Sequence, residues 1–133
     1  MIELKLCFAA ETVLRDGETN NVSAINLLEG LAAAGVPFFM QRISFFALWQ
    51  RAAEDESQLR GRFIVALNET NLLEQEVPMD FGTELRTRSI LHVVGLVVPG
   101  PGTLRFRIEF PNNLQAQYSV EVQVPTATVA AAR

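Results

Sequence analysis

The stretch TLRFRIEFPNNLQAQYSVEVQV, residues 103–124, decides the fold. Leu104, Phe106, Ile108 and Phe110 alternate with Thr103, Arg105, Arg107 and Glu109. After Pro111, Asn112 and Asn113, a second set (Leu114, Ala116, Tyr118, Val120, Val122 and Val124) alternates with glutamines, Ser119 and Glu121. Successive side chains of a strand point to opposite faces, so this period of two describes two strands, each apolar on one side. A three-residue loop sets Phe110 opposite Leu114, Ile108 opposite Ala116 and Phe106 opposite Tyr118. A two-residue loop would put the same apolar residues opposite glutamines. The longer loop also suits Pro111 as its first residue and Asn113 in the left-handed region.

Working outward, PGPG (99–102) reads as a four-residue hairpin loop after the long strand ELRTRSILHVVGLVV (84–98). That register pairs Val98 with Thr103, Leu96 with Arg105, Val94 with Arg107 and His92 with Glu109, and lays Gly95 across from Phe106. Before it come LLEQEVPMDF (72–81) and LRGRFIVALNE (59–69), the latter with Phe63, Val65 and Leu67 on one face. In MQRISFFALWQR (40–51) both faces are apolar: Ile43, Phe45, Ala47 and Trp49 on one, Phe46 and Leu48 on the other. The first strand puts Ile2, Leu4, Leu6, Phe8 and Ala10 on one side and Glu3, Lys5, Cys7 and Glu11 on the other, and ends at the turn DGETNN (16–21). Residues 21–29 continue as a second strand, since Gly30 interrupts the helix that Leu27, Leu28 and Leu31 suggest. Residues 30–37 make a crossover, with a short helix over 28–34 as the alternative, and Val36-Pro37 fixes an extended entry to the next strand. Seven to eight strands with turns every 10–15 residues describe an all-β chain. An antiparallel β-sandwich is the expected architecture and a closed β-barrel the alternative. Residues 1–125 form one domain and 126–133 a frayed tail.

Composition narrows the function classes. At 133 residues the chain has the size of one domain, and 49% hydrophobic residues suffice for a sizeable core. Fifteen acids against eleven bases give a net charge of -4, without the concentrated basic face that nucleic-acid binding needs. No segment has the run of about 18 apolar residues of a membrane helix. The acids at Glu3 and Glu11 are foreign to a signal peptide. The single cysteine, Cys7, is compatible with a reducing compartment, so the expectation is a cytoplasmic protein.

Catalytic chemistry finds little to stand on. His92 is the one histidine; it is read as structural or solvated on an outer face, beside Arg107. Cys7 lies among acids, where nothing would lower its pKa. No catalytic residues, no metal site and no cofactor are expected, and a hydrolase has no visible constellation. One His and one Cys exclude the common zinc sets, and the acidic loop Glu54, Asp55, Glu56 lacks the repeated spacing of a calcium site. Arg86, Arg88, Arg105 and Arg107 share one outer face in this register and are candidate anion-binding residues, with a solvated sheet face as the plain alternative.

Surplus apolar surface is the remaining signal. A two-layer sandwich buries one face per strand, so the second face of 43–49 must be covered by a connection, a third layer or another subunit. Val94, Leu96 and Val98 repeat the problem. Phe45, Ala47 and Trp49, with Val94, Leu96 and Val98, are therefore candidate interface residues, and residues 27–38 are a candidate lid over the face of Trp49.

The order LKLCFAAETVLRDGETNNVSAINLLEGL, VPFFMQRISFFALW and HVVGLVVPGPGTLRFRIEF resembles a family of small bacterial β-sandwich proteins of uncharacterised activity. Gly95, Leu96, Pro99, Pro101, Gly102, Leu104, Arg105, Phe106 and Arg107 match its pattern near the C-terminal end, while EGLAAAG is more alanine-rich than that pattern. The resemblance implies the sandwich fold and no activity, cofactor or catalytic residue. Together these readings describe a non-enzymatic binding or assembly module that partners itself or another protein. The alternative is a small-ligand binder with a pocket between the sheets or under the 27–38 connection.

Overall fold

The alternation of residues 103–124 is realised as a hairpin in an antiparallel β-sandwich that has nine strands among the described residues. The computed structural model describes residues 1–124; the expected frayed tail, 126–133, lies outside them. The strands are β1 (Glu3–Arg15), β2 (Val22–Leu27), β3 (Gly30–Ala32), β4 (Phe38–Gln50), β5 (Gln58–Leu67), β6 (Thr70–Asp80), β7 (Arg86–Val98), β8 (Gly102–Phe110) and β9 (Leu114–Gln123). One sheet has the order β2-β1-β4-β7, the other β3-β9-β8-β5-β6, so the two stay open layers and do not close into a barrel. Among the described residues only β3 runs parallel to its neighbour, β9. Its three residues fall in the 30–37 crossover, and no helix forms there or elsewhere among the described residues.

The β8–β9 register is the expected one: Phe110 faces Leu114, Ile108 faces Ala116 and Phe106 faces Tyr118. Asn112 and Asn113 both take positive φ, 65° and 61°, conformations asparagine adopts more cheaply than most residues.

The PGPG register is corrected. β7 belongs to the first sheet and β8 to the second, so Pro99 to Gly102 carries the chain from one layer to the other instead of closing a hairpin. Val98 and Leu104, the apolar residues flanking the crossing, enter the core from opposite layers. β7 pairs with β4 and β8 with β5 and β9. Accordingly His92 faces Ser44 and not Glu109, and Gly95 makes room for the Phe39 ring, 3.5 Å from where its Cβ would be, and not for Phe106.

Two local irregularities change which side chains point inward. A bulge between Leu4 and Leu6 flips β1, so that Cys7 and Ala9 join the core and Leu6 turns to solvent. On β4 and β7 the core-facing residues slip by one at facing positions: Met40 then Ile43, and Val93 then Leu96. The slip is centred on Gln41 and Gly95, and Gly95 has φ 77°, a conformation that costs glycine little.

The core between the sheets is a packed aromatic file. Phe45 stacks between Phe63 (5.8 Å) and Phe106 (6.0 Å), and Trp49 meets Phe110 edge-on at 5.5 Å. The Trp49 indole N–H donates to the buried Ser89 hydroxyl at 3.0 Å, which satisfies the one polar atom of the ring. Leu28, Leu31 and Ala33 close the side of the core near β9, and the Tyr118 hydroxyl donates to the Leu28 carbonyl. Residues 27–38 thus seal the edge between the layers and are not the lid expected over the face of Trp49, which turns into the core and is covered by Phe110 of the second sheet.

The outer face of β4 is covered by a different segment. The β1–β4 pairing ends at Ala10 opposite Ser44, and beyond it β1 pairs only with β2. The two form an arm that carries Val13 and Val22 over Phe46, with Phe8, Leu48 and Ile90 around it. Arg88 ties the tip down, donating to the Asn20 carbonyl at 2.6 Å. Coverage by the chain's own hairpin answers the double apolarity of β4.

Candidate functional site

The structure distributes the expected interface residues in a way their alternation did not show. Phe45, Ala47, Trp49, Leu96 and Val98 all lie in the core of the single chain. They cannot meet a partner without unfolding, so those five assignments are corrected. Val94 is the exception, 77% exposed. Beside it on the outer side of the first sheet lie two residues outside the expected set, Phe39 at 63% and Val97 at 53%, paired across β4 and β7. The signal that could have found them is the positive-φ Gly95, which moves the outward position from Leu96 to Val97.

The four arginines do not form one ladder, because β7 and β8 sit in different layers. Arg105 and Arg107 stand on the outer side of the second sheet, between β5 and β9. Their Nε atoms are buried without a hydrogen-bond partner among the described residues. Arg107 Nε lies 3.4 Å from a Glu109 carboxylate oxygen, an ion pair by distance without the alignment of a hydrogen bond. Their stems lie beside Ile64 and Ala66, which are buried although they point away from the sheet interface.

Arg86 and Arg88 stand on the opposite side of the molecule, in a cleft of about 710 Å³ between the arm and the outer face of β4 and β7. The arm adds a third guanidinium, Arg15, and the apolar residues Val22, Phe46, Leu48 and Ile90 also line the cleft. Each guanidinium donates to a neutral oxygen: Arg86 to the Gln50 amide (2.9 Å), Arg15 and Arg88 both to the Asn20 amide (3.2 and 3.4 Å). A second groove, about 460 Å³, opens where β1 leaves β4. It is lined by Glu11, Leu28, Leu31 and the β4 residues from Phe38 to Arg42.

Ser44 Oγ and His92 Nδ1 are 2.8 Å apart, a contact hidden from sequence by the β4–β7 register. The distance is that of a nucleophile and its base. Ser44 is, however, 0% exposed, so no substrate carbonyl reaches its oxygen, and the imidazole here satisfies a buried hydroxyl. Cys7 is half-buried, and burial pushes its thiol above the ordinary value, away from the reactive thiolate. Among the described residues no group of three His, Cys, Asp or Glu side chains could hold a metal ion. In the acidic loop, Asp55 accepts the Ala52 amide (2.9 Å) and pairs with the Met1 ammonium (2.7 Å). Among the described residues no helix is long and apolar enough to cross a membrane.

The tip of the arm is built on Asp16, whose carboxylate accepts the backbone N–H groups of Glu18 (2.8 Å) and Thr19 (3.3 Å). These bonds hold it below the usual carboxylate range. A depressed native pKa means that the ionised form favours folding above the unfolded value, and that this contribution vanishes as pH falls through the native one. Amide spectra between pH 6 and about pH 3 should show Glu18 and Thr19 moving as Asp16 titrates below the unfolded carboxylate value of about 3.9. The same residues in Asp16→Asn should lack that transition. A wild-type midpoint at or above the unfolded value would refute the tip geometry.

No family model matches the chain, and no curated protein matches it either, so the functional reading rests on this geometry.

Proposed function

We propose that the chain is a non-enzymatic binding and assembly module that self-associates through the outer side of its first sheet. One observation carries the reading: exposed large hydrophobics are segregated to one layer. Of the ten among the described residues, seven (Leu6, Leu14, Ile25, Leu27, Phe39, Val94 and Val97) sit on strands of the first sheet and none on the second. The second sheet instead presents ion pairs to water, Arg60–Glu76 and Arg62–Glu74 among them. Apolar surface gathered on one layer favours docking over solvation. The parting of β1 and β4 adds to this, since both strands run on from Ala10 and Ser44 without each other, and unpaired edges template further pairing.

A second copy is the occupant this surface fits, and sedimentation equilibrium over a wide concentration range tests it. The wild-type chain should self-associate, and Phe39→Glu combined with Val97→Glu should weaken association about 30-fold or more, the scale of losing two anchor residues. Both positions are exposed, so thermal stability of the variant monomer should stay within about 0.5 kcal/mol of wild type. A wild-type chain that is monomeric throughout, or a double variant that associates unchanged, would overturn the proposal.

A further inference from the structure

The cleft under the arm combines surplus positive charge with an apolar lining, and we infer that it is a binding site for a small amphipathic anion, an acyl or aryl carboxylate. Arg15, Arg86 and Arg88 line it against a single acid, Glu84. Three guanidiniums and one carboxylate leave a surplus of two positive charges. Among the described residues none of the three is ion-paired, in contrast to Arg60, Arg62 and Arg107 on the other layer. Arg15 and Arg88 come from strands far apart in sequence and converge on the same Asn20 amide oxygen. A neutral acceptor offsets little of the repulsion between two like charges; a carboxylate offsets more of it and matches the planar fork of the guanidinium. Each guanidinium carries five N–H donors. The bonds within the cleft occupy two on Arg88 and one each on Arg15 and Arg86, leaving donors for an incoming anion.

The rest of the cleft selects for an apolar body. Val22, Leu48 and Ile90 are each only partly buried around the Phe46 ring, so an acyl chain laid there removes their remaining surface from water. A volume of about 710 Å³ lies within the range of about 300–1,000 Å³ found for small-molecule sites. The cleft residues are distinct from Phe39, Val94 and Val97, the part of the proposed self-association surface beyond the slip at Gly95.

Three probes separate the two components of recognition: decanoate, decanol and acetate, each titrated into the chain below any micelle-forming concentration and followed by methyl NMR. Decanoate should shift the methyl signals of Val22, Leu48 and Ile90 saturably. Decanol, the same tail without charge, and acetate, the same charge without tail, should each bind about tenfold or more weakly, a loss on the scale of one charge-assisted contact. Arg86→Gln should lower decanoate affinity by a similar factor. Because Arg88 also tethers the arm, Arg88→Gln is read only alongside its amide spectrum, whereas Arg86 donates to Gln50 and leaves the tip in place. Decanol binding as tightly as decanoate, an unchanged affinity in Arg86→Gln, or methyl shifts confined to Val94 and Val97 would each overturn the assignment.

Discussion

Trp49→Ala is expected to destabilise the fold by about 3–5 kcal/mol, the cost of emptying a large aromatic site in a packed interior. The ring is 0% exposed, stands edge-on to Phe110 and uses its N–H on Ser89. Three losses therefore coincide: buried apolar area, the aromatic contact, and the partner of a hydroxyl that stays buried. Trp49→Phe isolates the third, because it keeps most of the apolar mass. It should cost about 1–3 kcal/mol, the range for an orphaned buried polar group together with a partial cavity. Urea unfolding followed by circular dichroism is the suitable measurement, since the variant removes the only tryptophan and with it the fluorescence probe. At this chain length the alanine variant should melt roughly 10–20 °C lower. Running each curve at several protein concentrations separates this effect from self-association, which shifts the midpoint by mass action. A cost under about 1 kcal/mol would place the ring at the surface and restore Trp49 as an interface residue.

Sequence alternation could not distinguish that interior from an interface, and the physical reason is specific. Period-two patterning tells which residues share a side of a strand; it does not tell which side faces the other layer. For β8 and β9 one side is apolar and the other charged, so the hairpin register was legible down to the pairs. For β4 both sides are apolar, and the deciding fact is the arm, whose attachment through Arg88 and Asn20 spans 68 positions in sequence. PGPG specified a change of direction but not a change of layer, because proline and glycine fix local dihedrals and leave the pairing partner open. The bulge at Leu4–Leu6 had no signature that alternation could reveal, and it reversed the roles of Leu6 and Cys7. Gly95 was legible as a small residue making room for a large one, with Phe39 and not Phe106 as the large one. The candidate site follows the same division. Arg86 and Arg88 were visible as a same-face pair, whereas Arg15 joins them only through the fold of the arm, and Arg105 and Arg107 left the set once β8 moved to the other sheet.

Gly61→Ala is the smallest substitution with a large expected effect. Gly61 is buried on β5 opposite Val77, one residue before the β5–β8 ladder begins at Arg62 and Glu109. A methyl group there would run into the Glu109 carbonyl oxygen and lie 2.6 and 2.8 Å from two carbons of the Phe110 ring. The carbonyl belongs to a strand backbone and cannot swing aside as a flexible side chain would. Relief requires β5 and β8 to separate, and overpacking of this kind costs about 1–3 kcal/mol or more. The ordinary advantage of alanine over glycine in the unfolded chain, about 0.4–1 kcal/mol, is too small to reverse the sign. Phe110 also ties this position to the first prediction, because Trp49 stands edge-on against the ring that must move. Residues in contact couple by about 0.5–3 kcal/mol. Adding Gly61→Ala to Trp49→Ala should therefore cost less than adding it to wild type, since the emptied site lets Phe110 retreat, while the clash with the Glu109 carbonyl persists in both. Urea unfolding of the two single variants and the double variant measures both terms. A neutral or stabilising Gly61→Ala would show that β5 and β8 lie farther apart at this point than the packing described above. Strict additivity would show that Phe110 does not carry the strain to Trp49.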